Sequence, residues 1–221
     1  MKKSPMSLLK IWMIALILTS CSKAEKVETG SASLLPYYEE ATFTPIWYEE
    51  GSLPADFHQI PEFSLINQSG EEITEKSITG KISIVDFFFT SCPGICPKTT
   101  ANMTLVQNEF LKDDEVILLS HSVTPVYDSV AVLKEYAEEK GIVPGKWHLL
   151  TGSRAEIYTL GRDAYFAEED LGLMKSPDDF LHTENFILLD GNRQIRGIYN
   201  GLNTTSINQL IEDVKTLRKT L

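Results

Sequence analysis

Residues 81–90 read Lys-Ile-Ser-Ile-Val-Asp-Phe-Phe-Phe-Thr, an almost unbroken run of β-branched and aromatic side chains. No polar/apolar alternation interrupts it, so both faces of such a strand must be kept from water. That demands a covering layer on each side, the arrangement of α/β domains built on largely parallel sheets. The chain has 221 residues, of which 43% are hydrophobic, enough for a packed core in one domain of ordinary size plus additional sequence. The one acid in the run, Asp86, is out of place there and needs a hydrogen-bond partner or a raised pKa.

The remaining pattern supplies those layers. Residues 63–66, the turn at 67–70 and a short continuation predict a hairpin. After the central strand, Met103, Val106 and Phe110 share one side of a helix. Residues 116–120 form a second buried strand, and 129–140 an amphipathic helix ended by Gly141. A strand at 147–150 precedes a helix at 153–160 that opens with the capping box Ser153…Glu156. Asp190-Gly191 lies between two short strands, a hairpin signal. The last helix opens with a second box, Ser206…Gln209, and carries Ile207, Leu210, Val214 and Leu217. The order βαβαβα, hairpin, helix predicts a thioredoxin-like α/β fold: a central mixed sheet flanked by helices, with an inserted hairpin and loop.

The chain begins MKKSPMSLLKIWMIALILTSC, with three lysines and a short apolar run but no acid. This describes a secretory signal peptide, the apolar run being too short to span a bilayer comfortably. Its end, Leu18-Thr19-Ser20-Cys21, resembles the lipobox of bacterial lipoproteins. The resemblance implies that residues 1–20 are removed and that Cys21 is lipidated. The folded part is then held on the periplasmic side of a bacterial membrane, with the inner membrane as the expected location. Residues 21–33 read as a lipidated tether, 34–62 as a proline- and aromatic-rich arm packed on the domain, and 63–221 as the domain itself. Loss of three lysines from 20 basic against 31 acidic residues takes the net charge from −11 to −14. Such a surface argues against nucleic acid, and anionic headgroups repel it, so the lipid must do the anchoring.

With Cys21 assigned, two cysteines remain in Cys92-Pro93-Gly94-Ile95-Cys96-Pro97, where the central strand gives way to a helix. Unpaired N–H groups at a helix start carry partial positive charge and stabilise a thiolate. Pro97 is tolerated only in the first helical turn, so a helix starting near it leaves Cys92 in the preceding loop, set by Pro93 and Gly94. The pair has the reach for a disulfide or for one soft metal ion, and spacing alone does not choose.

The longer stretch from Asp86 to Pro97, with Phe87-Phe88-Phe89-Thr90 leading into the cysteine loop, resembles the signature of the Sco/SenC copper proteins. The segment from Ser122 to Asp128 and the late His182-Thr183-Glu184-Asn185-Phe186 match further parts of that pattern. These are membrane-anchored assembly factors of cytochrome c oxidase with a thioredoxin fold. The resemblance runs from about Phe63 to the C-terminus. It implies copper, as Cu(I) or Cu(II), bound by Cys92, Cys96 and His182. It also implies an oxidase subunit as recipient. In an oxidising compartment the pair needs a periplasmic thiol reductant to stay reduced, and Cys92 and Cys96 are equally candidates for a redox-active disulfide. Two departures stand out: Leu181 replaces an acid often found before the histidine, and Thr124-Pro125 replaces Asp-Pro.

The ligand types suit the metal. Thiolates select Cu(I), imidazole serves both oxidation states, and structural zinc normally takes a fourth protein ligand that is not evident nearby. Residues 163–181, rich in acids including Glu168, Glu169, Asp170, Asp178 and Asp179, read as a long exposed excursion that delivers His182. Asp86 and Asp128 are candidates for supporting positions around the site, with a structural acid and a helix N-cap as the plainer roles. His58, His121, His148 and Met103 read as structural or solvated residues. The competing activities are a thiol–disulfide oxidoreductase that reduces client cysteines, a peroxidase-like thiol enzyme, and a purely structural disulfide. The usual oxidoreductase pair has x₂ spacing, which this chain lacks.

Overall fold

The computed structural model describes residues 35–49, 51–169, 176 and 179–219. The signal segment, Cys21, the tether, Asp170 and Asp178 lie outside the described residues.

Seven strands form one mixed sheet: β1 (Ser64–Asn67), β2 (Glu72–Thr74), β3 (Ile82–Phe88), β4 (Val116–Ser122), β5 (Trp147–Thr151), β6 (Asn185–Leu189) and β7 (Ile195–Asn200), in the order β2-β1-β5-β4-β3-β6-β7. The three in the middle, β5, β4 and β3, are parallel, while β6, β7 and the β1–β2 hairpin are antiparallel additions. Every residue of β3 is buried, as the apolar run requires. Ile82, Ile84 and Phe88 face a core shared with α2 (Cys96–Glu109), α3 (Val130–Lys140) and α5 (Thr204–Leu217). Val85 and Phe87 face a second core with α1 (Glu75–Ile78), α4 (Arg154–Thr159) and the π-helical turn Leu160–Ala164. Helices therefore cover both faces. No helix among the described residues is long and apolar enough to cross a membrane.

Local chemistry explains most element ends. Gly141 closes α3 in the left-handed conformation, φ 69°, which favours glycine. Ser153 caps α4 by accepting from the Glu156 N–H, but the Glu156 side chain does not close the box; it accepts from the Ser64 N–H at 2.9 Å. The last helix starts earlier than the Ser206 box suggests. Asn203 is its N-cap, accepting from Thr205 and Ser206 N–H groups, because an Asn with its amide oxygen free caps as well as a serine. In the β6–β7 hairpin the left-handed residue is Arg193 and not Gly191, since Asp190 Oδ1 accepts from Asn192 and Gln194 and draws the turn wider. The short α1 and the π-helical turn have no counterpart in the sequence reading, being too short for periodicity to reveal.

The sheet order brings distant segments together. β6 runs antiparallel to β3, with Val85 opposite Ile187. Each step along β3 toward Cys92 is thus matched by a step back along the chain toward His182. The loops after β3 and β4 and the loop before β6 meet at one end of the central strands.

Candidate metal centre

α2 begins at Cys96, with Ile95 as N-cap and Pro97 in its first turn, so Cys92 lies in the loop before it. Proline has no N–H to leave unpaired at that position. Both cysteines are free thiols, Cys96 buried and Cys92 partly exposed. Burial pushes the Cys92 thiol up, but the Cys96 thiol and the N–H groups of Cys96, Gly94 and Ile95 hydrogen-bond to it and bring it below its ordinary value. Burial pushes Cys96 up to about 12, helped by the hydrogen bond with Cys92 and by the charges of Cys92 and Asp86. The helix start therefore concentrates its stabilisation on Cys92.

His182 lies three residues before β6. The two cysteines and His182 line one cavity of about 250 Å³, walled on its apolar side by Phe87, Phe88, Phe89, Val123 and Leu181. Phe180 forms part of its rim, 44% exposed and edge-to-face with Phe89 at 5.5 Å. His182 is exposed between two buried neighbours, Leu181 and Thr183. Among the described residues no three His, Cys, Asp or Glu side chains are grouped closely enough to form a ready metal cage. The histidine shares the cavity wall with the cysteines.

Asp128 is not the N-cap of α3; Ser129 is, accepting from the Val132 N–H. Asp128 is buried and accepts from the Thr90 hydroxyl (2.5 Å) and N–H (3.3 Å), the Ser122 hydroxyl (2.5 Å) and the Thr124 hydroxyl (3.0 Å). It ties the loop after β3, two residues before Cys92, to the end of β4 and the loop that follows it. Asp86 is buried and accepts from Ser120, whose hydroxyl oxygen also accepts from Trp147 Nε1 at 2.8 Å.

The excursion before His182 is not exposed throughout. Ala164, Tyr165, Phe166 and Ala167 are buried in the second core, where aromatic and small residues outweigh the nearby acids. Sequence reading noted Glu168 only as one acid of a loop. In the fold its carboxylate accepts the His182 N–H at 3.0 Å. No spacing rule links two residues of irregular chain, so that contact had no sequence signal. The remaining histidines take structural places: His148 Nδ1 is 3.0 Å from the Asn67 amide, and His58 Nε2 is 2.7 Å from the Ala164 carbonyl. His121 is buried against Phe87, and Met103 is fully buried in the first core.

A family model described as SCO1/SenC matches residues 52–219. Among solved structures, a SCO1/SenC family lipoprotein from Bacillus anthracis is 30% identical, covers 73% of this chain and 95% of its own, and superposes with a TM-score of 0.63. BsSco, a member of the Sco family of cytochrome c oxidase assembly proteins in which a disulfide switch was identified, is 30% identical over 73% of this chain and 94% of its own, TM-score 0.62. ScoI of Arabidopsis thaliana, solved with copper bound, is 29% identical over 72% of this chain and 98% of its own, TM-score 0.55. These likenesses bear out the thioredoxin-like fold.

Proposed function

The chain belongs to the SCO1/SenC family, and from that premise we propose that it is a copper chaperone. It binds one copper ion through Cys92, Cys96 and His182 and passes it to the copper centre of a cytochrome c oxidase subunit. Lipid on Cys21 holds it on the periplasmic side of a bacterial membrane, and a thiol reductant there keeps the cysteines reduced. Support for the anchor is the Leu18–Cys21 sequence and the lipoprotein nature of the Bacillus anthracis relative. Support for copper is the ligand chemistry and the copper-bound relative.

The observation that carries the reading is the cavity that both thiols and the imidazole share. Its largely aromatic wall lowers the local dielectric, which favours a soft, weakly hydrated Cu(I) on thiolates over harder ions. Copper titration of the reduced chain tests it. One copper per chain is expected, lost in Cys92→Ser and Cys96→Ser and weakened at least about tenfold in His182→Ala. Unchanged affinity in His182→Ala sinks the ligand set.

A second reading is favoured by the unequal thiols: an oxidoreductase that reduces client disulfides. The Cys92 thiolate attacks one sulfur of the client disulfide and expels the other as a thiolate. Cys96, deprotonated, then attacks Cys92, releasing the client dithiol and leaving a Cys92–Cys96 disulfide that a thiol reductant reopens. The readings part at His182, since copper transfer needs the imidazole and exchange does not.

A further inference from the structure

The loop that presents His182 is held from behind by residues that touch neither cysteine. Glu168 Oε1 accepts the His182 N–H at 3.0 Å, while its Oε2 faces Arg162 Nε at 3.5 Å. This ion pair is largely shielded, with side-chain exposures of 18% for Arg162 and 11% for Glu168. The same guanidinium donates to the carbonyl oxygens of Ser176 (3.2 Å) and Asp179 (2.5 Å) on the approach to His182. It also lies over the ring of Tyr158 at 5.3 Å, and Tyr158 donates to the carbonyl of Val123, a residue of the cavity wall. On the other side of the loop, Asn185 Nδ2 donates to the Ala167 carbonyl at 3.2 Å.

A packing contact reinforces these bonds. Leu181, where the family often has an acid, is buried against the π-helical turn. A Cβ added to Gly161 would come within 2.6 Å of Leu181 Cδ2 and 3.0 Å of Phe87 Cε1. A side chain there would make the leucine tip and the Phe87 ring give way, and π-helical irregularities recur at functional sites. The turn thus carries, on adjacent residues, the notch for Leu181 and the arginine that holds the loop.

Resting on the ligand set proposed above, we infer that Arg162, Glu168 and the Gly161–Leu181 notch form a latch that positions His182 for copper. They are positioning residues, acting through the histidine's backbone and its buried neighbour. His182 lines the same cavity as the cysteines from a separate loop, so the latch sets how readily the imidazole reaches the metal. Its strength tunes retention against release without any change at the cysteines.

The test is a double-mutant cycle on the full chain in detergent, reading Cu(I) affinity by chelator competition and the Cu(II) electron paramagnetic resonance spectrum. Glu168→Ala is expected to weaken copper by a measurable part of the loss seen in His182→Ala and by no more than that loss, because Glu168 holds the histidine's backbone and not the metal. Glu168→Gln, which keeps an oxygen for the His182 N–H, recovers most of that loss and retains the imidazole nitrogen coupling. Gly161→Ala, displacing Leu181 with all polar contacts intact, shifts affinity in the direction of Glu168→Ala. The double variant Glu168→Ala/His182→Ala binds no more weakly than His182→Ala alone, because the latch acts only through that residue. Additive losses, or an affinity unchanged in Glu168→Ala while His182→Ala is impaired, overturn the latch alone. An unchanged His182→Ala overturns the ligand set and the latch together.

Discussion

Asp86 and His121 stand on neighbouring strands, buried on opposite faces of the sheet, and titrate in opposite senses. Burial pushes the Asp86 carboxyl up to about 7, with the Ser120 hydrogen bond pulling the other way. Burial brings the His121 imidazole down to about 3, with a weak contact to the Asp86 backbone pulling the other way. Between pH 3.8 and about 7 the native state holds a proton at Asp86 that the unfolded chain has released. This group alone makes stability fall as pH rises. Between about 3 and 6.5 the unfolded chain protonates His121 while the native state does not, so this group makes stability rise with pH. The two slopes oppose each other over their shared window. Asp86→Asn removes the first, and the urea midpoint of that variant should climb from pH 4.5 to 6.5 more steeply than that of the parent chain. Equal slopes would show that Asp86 is not protonated in the fold. An acid amid aromatic neighbours was readable in the sequence as an anomaly; its partner Ser120, 34 residues away, was not.

Among the elements, the β3–α2 junction depends on a contact from β4 and α3. Asp128, one residue ahead of the α3 N-cap, accepts from Thr90, Ser122 and Thr124 and so fixes the take-off of the cysteine loop. Asp128→Ala leaves the buried Ser122 hydroxyl and the half-buried Thr90 and Thr124 donors without that acceptor and should destabilise the protein by about 1–3 kcal/mol in chemical denaturation. Faster amide exchange at Thr90, whose N–H donates to Asp128, should accompany it. Protection at Thr90 equal to the parent would refute the tie. Sequence rules placed a cap near Asp128 and missed by one residue, because Ser129 fits the cap geometry and frees the carboxylate for longer-range work. The same limit shifted the start of α5 to Asn203. Local signals register that a cap exists, but neighbouring polar residues compete for the position.

Over the whole molecule, an N-terminal segment and the far edge of the sheet hold each other. Arg196 on β7 pairs with Asp190 at 3.0 Å and donates to the carbonyl oxygens of Leu35 (2.8 Å) and Pro36 (3.0 Å), while its guanidinium stacks on Tyr37 at 3.8 Å. Tyr38 N–H adds a backbone bond to Ile195. Arg196→Ala leaves the Asp190 carboxylate buried without its partner and should cost about 3–5 kcal/mol. Residues 35–48 should then be cleaved by protease before the sheet unfolds; cleavage at the parent rate would mean the arm is held by other contacts. The sequence by itself determined the layered α/β architecture, because a strand apolar on both faces needs a covering layer on each side and the alternating helix patterns supply it, and it marked two thiols at a helix start. Only the tertiary structure decided which groups surround them. The antiparallel pairing of β6 with β3 brings His182 to the same cavity as the loop that carries Cys92, about 90 residues earlier, and the π-helical turn supplies Gly161, Arg162 and the approach to Glu168 behind it. Burial patterns are local and periodic, and so are written along the chain; a site at the ends of central strands is assembled from strand order, which no local pattern records.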